Sequence, residues 1–237
     1  MKTDWDDQGR LCAIVDVEVA ERAGWSPADL ATAYLNGGAR FLQLRAKSLS
    51  GSQFLDLASD IRDLAHAAGA IVIINDRADI ARLSGADGVH VGQQDLSPLA
   101  VRTIVGTESM LGLSTHTEPQ IEAAIQQPVD YIAVGPVFGT STKATGYAAV
   151  GLERVRYVSA QVPHGRTWRP ASAGPGEVRL KANATDSPLG VVAIGGITLD
   201  SAADLISAGA TAVAVIADLI ATGEPEARVR AYLARLR

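Results

Sequence analysis

A single cysteine, Cys12, occurs in the 237 residues, which excludes an internal disulfide and fits a reducing compartment. Aromatic residues are scarce at 5%, so a core must be built mainly from Ala, Val, Ile and Leu, the composition that buried parallel strands prefer. No uninterrupted apolar run approaches the roughly 18 residues of a membrane span. The N-terminus carries Asp4, Asp6 and Asp7 with no apolar segment, so a secretory signal is not expected. Basic residues are outnumbered, 21 Lys and Arg against 26 Asp and Glu, and the net charge of −5 argues against a nucleic-acid-binding surface while leaving room for a small basic pocket. One cysteine and scattered histidines give no zinc-ligand spacing. These absences describe a soluble protein, expected to be cytoplasmic and without nucleic-acid or membrane partners; a homo-oligomer is left open.

Hydrophobic residues make up 47% of the chain and charged residues 20%, the balance of a globular domain. Short β-branched runs alternate with longer amphipathic segments. The runs at 11–16, 39–44, 70–74, 88–91, 110–113, 131–134, 190–194 and 212–215 are eight expected strands. Start signals mark several intervening helices: Ser26-Pro27 and Ser97-Pro98 place a capping hydroxyl before a proline, and Asp200 can cap the helix that ends near Gly209. The first of these helices is expected to stop at Gly37-Gly38. Alternation implies parallel pairing, and eight such units imply a single-domain α/β fold, a (β/α)8 TIM barrel over residues 11–237. A doubly wound open sheet is the alternative, but no Gly-x-Gly-x-x-Gly turn follows an early strand. Residues 1–10 read as a disordered acidic tail. Residues 160–187 form an aperiodic insertion between the sixth helix and the seventh strand, on the face away from the strands' C-terminal ends. It reads either as a mobile insertion or, given Trp168, Arg166, Arg169, Arg179 and Lys181, as an interface arm.

The chemistry gathers at strand ends. After Tyr131–Val134 comes Gly135-Pro-Val-Phe-Gly-Thr140-Ser-Thr142-Lys143, a loop whose hydroxyls and ammonium suit phosphate. A period of two puts Gln43, Arg45 and Lys47 on one face of the second strand and Leu42 and Leu44 on the other, so the polar set points to the barrel axis. Buried cations there either pair with carboxylates of neighbouring strands or hold a polyanion. Asp76 and Asp95 follow adjacent strands and can converge at the mouth as ligands for Mg2+, which takes few protein oxygens and several waters; each also suits a cap or a turn. His90 reads as a satisfied core imidazole, and His116 stays a weaker catalytic candidate. Gly195-Gly196 after the seventh strand and Ile216-Ala217 after the eighth allow backbone N–H groups to approach an anion.

In their order, Gln43-Leu-Arg45-Ala-Lys47, Asn75-Asp76-Arg77, Gly88-Val-His-Val-Gly-Gln-Gln-Asp95, Gly112-Leu-Ser114-Thr-His116, the 135–143 loop and Ala193-Ile-Gly-Gly196-Ile197 resemble the motifs of the thiamine phosphate synthase family. The resemblance implies an enzyme that joins a hydroxymethylpyrimidine diphosphate to a thiazole phosphate, two small molecules, and releases diphosphate with the help of Mg2+. It implies Gln43, Arg45 and Lys47 on the pyrimidine diphosphate, Asn75 on the pyrimidine, Asp76 and Asp95 on Mg2+, and Ser114 and Lys143 on the pyrimidine substrate and its diphosphate. Thr140, Thr142, Gly196, Ile216 and Ala217 would line the thiazole phosphate site; Arg45, Lys47, Ser114 and Lys143 would carry the catalysis. The chain departs from the family at Ala217, where serine is usual, at Ile14-Val15-Asp16, where Thr-Asp is common, and in the insertion. A thiazole tautomerase-like relative and a non-catalytic thiamine-phosphate sensor are the other readings.

Overall fold

The computed structural model describes residues 9–139, 146–162 and 189–237. Eight strands close into one barrel in chain order: β1 (Leu11–Asp16), β2 (Phe41–Arg45), β3 (Ile71–Asn75), β4 (Gly88–Val91), β5 (Met110–Thr115), β6 (Tyr131–Val134), β7 (Gly190–Ile194) and β8 (Ala212–Val215). Every neighbouring pair is parallel, and β8 returns to pair with β1. The helices are α1 (Val17–Arg22), α2 (Pro27–Asn36), α3 (Gly51–Ala67), α4 (Ala78–Ser84), α5 (Pro98–Val105), α6 (Glu118–Ile125), α7 (Gly151–Gln161), α8 (Leu199–Ser207), α9 (Ala217–Ile220) and α10 (Pro225–Arg235). Among the described residues no helix is long and apolar enough to cross a membrane.

Two apolar layers follow from strand alternation. Cys12, Ile14, Phe41, Ile73, Met110 and Tyr131 fill the barrel interior, whereas Leu42, Leu44, Val72 and Ile74 face the helices. Each fully buried aliphatic side chain contributes about 1.5–3 kcal/mol, so the pattern that selects the faces also stabilises the barrel. Ser26 and Ser97 accept the backbone N–H groups of Asp29 and Ala100, as their positions before proline imply. At the end of α2 the left-handed residue is Gly38, with φ 101°.

Several boundaries differ from the sequence expectation. β2 and β3 start later and end one residue further on, and β5 runs two residues longer, which brings Arg45, Asn75 and Ser114 onto the strands. Asp200 does not cap α8: Thr198 holds the cap position, its N–H donating to the Ser201 hydroxyl at 3.1 Å, because that position lies one residue before the helix and Asp200 is already inside its first turn. The expected insertion at 160–187 begins while α7 is still helical, as far as Gln161. Residues 163–187 of that insertion and residues 1–8 of the tail lie outside the described residues, as do Thr140, Thr142 and Lys143.

Candidate active site

The strand register builds the first part of the mouth. Asp16 at the end of β1 pairs laterally with Arg45 at the end of β2, and the Arg45 guanidinium donates to the Asp16 carboxylate. Asp16 is 2% exposed, so this is an ion pair shielded from water on one side. Its other oxygen, Oδ1, caps α1 by accepting the N–H of Val19 at 3.0 Å. Lys47, just past β2, donates to Asp76. The two expected cations therefore have carboxylate partners in neighbouring elements, and they also line open space at the mouth.

Glu18 on α1 was not anticipated. Its Oε1 accepts the backbone N–H groups of Lys47 and Ser48, each at 2.8 Å, and its Oε2 lies 3.6 Å from Arg45 Nη1. It thus pins the turn that presents Lys47. Burial would raise its pKa, but hydrogen bonds from backbone groups and from the Ser48 hydroxyl overcome this and hold it at about 2. Because this is below the roughly 4.3 of a free glutamate, Glu18 stabilises the fold fully above about pH 4.3 and loses that contribution as pH falls toward its folded value. Glu18→Gln is accordingly expected to flatten the acid limb of stability between about pH 4 and 2 relative to wild type. Parallel acid limbs in chemical denaturation would show that the carboxylate contributes nothing.

Asp76 follows β3 with φ 64°, a left-handed conformation that aspartate tolerates better than most residues, and its N–H donates to the His90 carbonyl at 2.7 Å. It does not cap α4, whose first turn follows Arg77 without a side-chain cap. Asp95 accepts the Gly92 N–H at 2.7 Å and stands against Asp76. Partial desolvation first, and then the adjoining Asp76 carboxylate, raise the Asp95 pKa; Gly92 and Lys47 oppose the rise. Two carboxylates held together with one ammonium beside them fit a divalent cation bound through few protein oxygens, and Mg2+ has that preference. Among the described residues no group of three or more His, Cys, Asp or Glu gathers, so these two carboxylates are the donor set on offer.

A polar cavity of about 260 Å3 opens here, lined by Lys47, Asn75, Asp76, Gln93, Asp95, Ser114, His116 and Tyr147. Gln43 is buried one inward position below Arg45, and Arg45 itself lines an adjoining groove with Asp16, Glu18, Arg22 and Lys47. His90 is satisfied on both edges, by Tyr131 and by Ser114, as expected of a core imidazole. His116 is held by Nδ1 against the Gly135 carbonyl at 2.5 Å and stacks on Tyr147 at 4.2 Å. That leaves it a wall of the site with a fixed ring.

A second compartment of about 110 Å3 lies beyond Ser114 and His116, which line both. Its walls are Gly135, Pro136, Ile194, Gly195, Gly196 and residues 214–218, including Ile216 and Ala217. The strand-six loop is stitched to the strand-seven loop by Val137 N–H to Ile194 O at 2.9 Å and Phe138 N–H to Gly195 O at 3.0 Å. Gly195 and Gly196 have φ 97° and 66°, and a Cβ on Gly196 would fall 2.4 Å from the Gly139 carbonyl oxygen. The mouth therefore holds a polar, charged chamber and a mostly apolar, glycine-lined one, side by side.

Similarity to known proteins extends over most of the chain. A family model described as thiamine monophosphate synthase matches residues 11–219. A thiamine-phosphate synthase of Arthrobacter sp. (strain FB24) is 40% identical over 215 residues, covering 88% of this chain and 87% of the relative. One of Nostoc punctiforme is 46% identical over 127 residues, 54% of this chain but only 36% of that longer protein. A solved thiamine phosphate pyrophosphorylase of Pyrococcus furiosus superposes with a TM-score of 0.77 at 22% identity, covering 97% of this chain and 96% of that one, a likeness of fold.

Proposed function

The chain belongs to the thiamine monophosphate synthase family and is a transferase with thiamine-phosphate synthase activity, and from that premise we propose how its mouth divides the work. The polar chamber takes the 4-amino-2-methyl-5-hydroxymethylpyrimidine diphosphate and the glycine-lined chamber takes the thiazole phosphate. The observation that carries this is the meeting of the two chambers at Ser114 and His116, which lets two rings approach across one shared wall. Gln43, Arg45, Lys47 and Lys143 hold the diphosphate, and Asn75 and Ser114 hold the pyrimidine. Thr140, Thr142, Gly196, Ile216 and Ala217 surround the thiazole phosphate. At Ala217 a side-chain hydroxyl is lacking, and backbone N–H groups serve in its place. Asp76 and Asp95 would hold Mg2+, which when bound adds positive charge beside the departing diphosphate.

The protein's own part is then mostly electrostatic. As diphosphate leaves the exocyclic carbon, negative charge grows on its oxygens, and Arg45, Lys47 and Lys143 stabilise it. The aminopyrimidine spreads the positive charge left behind, and the thiazole nitrogen captures it. No acid–base pair or covalent nucleophile is required. A cytoplasmic setting belongs to the same reading.

Purified protein given both substrates and Mg2+ is expected to release diphosphate only when both are present; no release overturns the reading. Asp95→Asn is expected to raise the Mg2+ concentration for half-maximal turnover by at least about tenfold, since even outer-shell partners of a metal are worth 10–100-fold. An unchanged Mg2+ requirement would remove Asp95 from the metal site.

A further inference from the structure

Two loops wall the glycine-lined chamber, residues 195–197 after β7 and residues 216–218 after β8. One oxygen atom joins them. Asp218 Oδ2 accepts the backbone N–H of Leu199, the first residue of α8, at 3.2 Å. The same oxygen accepts from Arg228 Nη2 at 2.7 Å and Nε at 3.1 Å, and from the Tyr232 hydroxyl at 2.5 Å. Donors from α8 and α10 thus converge on a single carboxylate of the strand-eight loop. Arg228 Nε also donates to the Asp218 carbonyl at 3.3 Å, and Tyr232 Oη stands 3.5 Å from the Ile197 carbonyl. The direction of these bonds is fixed, because amide and guanidinium nitrogens only donate and a carboxylate only accepts. Burial and the Asp218 carboxylate keep the Tyr232 phenol protonated, so it donates as well.

The two ends of this clasp differ in firmness. α10 presses on α2 so closely that a Cβ on Gly37 would fall 2.7 Å from both the Glu226 carbonyl oxygen and the Val229 Cβ. Tyr232 is fully buried, and the Arg228 guanidinium carbon lies 5.8 Å from the centre of its ring, one helical turn away. Arg10, just before β1, donates to the Leu236 carbonyl at the end of α10 at 2.7 Å. α9 is only four residues long and no side chain caps it, so it has little stability of its own. Ala217 brings no polar side-chain atom, and polar contacts from this loop come from its backbone, whose direction follows the position of the loop.

We propose that Arg228 and Tyr232 are positioning residues of the glycine-lined chamber: acting through Asp218, they hold the strand-eight loop against the strand-seven loop and so set the affinity for the phosphate-bearing thiazole. The proposal rests on the assignment of the thiazole phosphate to that chamber. Arg228 has a second effect of the same sign. An aspartate in the wall of an anion chamber repels the ligand, and the guanidinium beside it offsets that charge. Neither residue lines the polar chamber, so the departure of diphosphate does not depend on them.

Two measurements test it. In amide hydrogen exchange, Arg228→Met is expected to speed exchange of the Leu199 N–H by more than about tenfold while the amides of β7 and β8 stay within about twofold of wild type. Unchanged exchange at Leu199 overturns the proposal, whether or not the protein turns over substrate. Wild-type protein that releases no diphosphate would sink the functional reading instead, so the two failures are distinguishable. In kinetics, Arg228→Met is expected to raise KM for the thiazole phosphate at least about fivefold, with kcat and KM for the pyrimidine diphosphate within about twofold. A merely structural arginine would lower the active fraction and hence kcat with both KM values unchanged, and that result also overturns the proposal. In an Asp218→Ala background the same change is expected to have less than about a twofold effect, because Arg228 acts through Asp218; equal effects in both backgrounds would refute that route. Should Arg228→Met fail to fold, Tyr232→Phe keeps the buried ring, removes only the hydroxyl, and is expected to shift the same two readouts about threefold.

Discussion

Replacing Arg45 by methionine is expected to cut turnover by about 10²–10³-fold, the usual loss when one preorganised charge-stabilising donor is removed. The same change is expected to destabilise the fold, for a separate reason. Asp16, 2% exposed, loses its ion-pair partner, and an uncompensated buried carboxylate costs on the order of 3 kcal/mol. For a chain of this size that is a fall in Tm of roughly 10 °C. The two losses can be separated. Asparagine at position 16 removes the stranded charge and keeps a side-chain oxygen to cap α1, where Asp16 now accepts from Val19. The pair Asp16→Asn with Arg45→Met should therefore recover most of the thermal stability and none of the turnover. If activity returns with stability, Arg45 serves the fold alone. If the single variant melts normally, the Arg45–Asp16 pair contributes little and a neighbouring cation of the groove, Arg22 or Lys47, or solvent compensates the aspartate.

How much of this was legible beforehand depends on whether a contact is local. The two faces of β2 were readable because Gln43 and Arg45 alternate with Leu42 and Leu44, and the structure places them inward and outward as that period demands. Ser26 and Ser97 were readable because a cap acts within three residues. Glu18 was not, because its partners are backbone N–H groups 29 and 30 residues away, and nothing in the chemistry of Lys47 or Ser48 announces them. Asp16 stands out in the sequence only as part of a departure from the family motif, and its pairing with Arg45 needs the β1–β2 register, which no periodicity supplies. The Tyr131–His90 contact is harder still. Its enabling residue is Gly112, whose signal in the sequence is a missing side chain, and whose meaning appears only once three strands are aligned. At the mouth, charged and hydroxyl side chains could be singled out from their own chemistry, whereas a residue such as Glu18, which acts by holding a turn, could not.

The glycine-lined chamber carries the other large expectation. Gly196→Ala is expected to raise KM for the thiazole phosphate by more than about tenfold and to leave KM for the pyrimidine diphosphate nearly unchanged. Two effects add. A residue with a Cβ is disfavoured at φ 66° by about 1–2 kcal/mol, and the new methyl would stand 2.4 Å from the Gly139 oxygen and 2.9 Å from the Phe138 carbonyl carbon. Those neighbours are backbone, so they cannot swing aside as a side-chain tip would. The strain is relieved only by parting the strand-six loop from the strand-seven loop, which Phe138 N–H and Gly195 O now join at 3.0 Å. That seam walls the second chamber and lies across the mouth from Asp76 and Asp95 in the first. A selective loss of thiazole phosphate affinity is therefore the signature of two chambers that bind separately. Equal loss for both substrates would mean that the mouth is one mechanical unit, and that the division at Ser114 and His116 has no energetic counterpart.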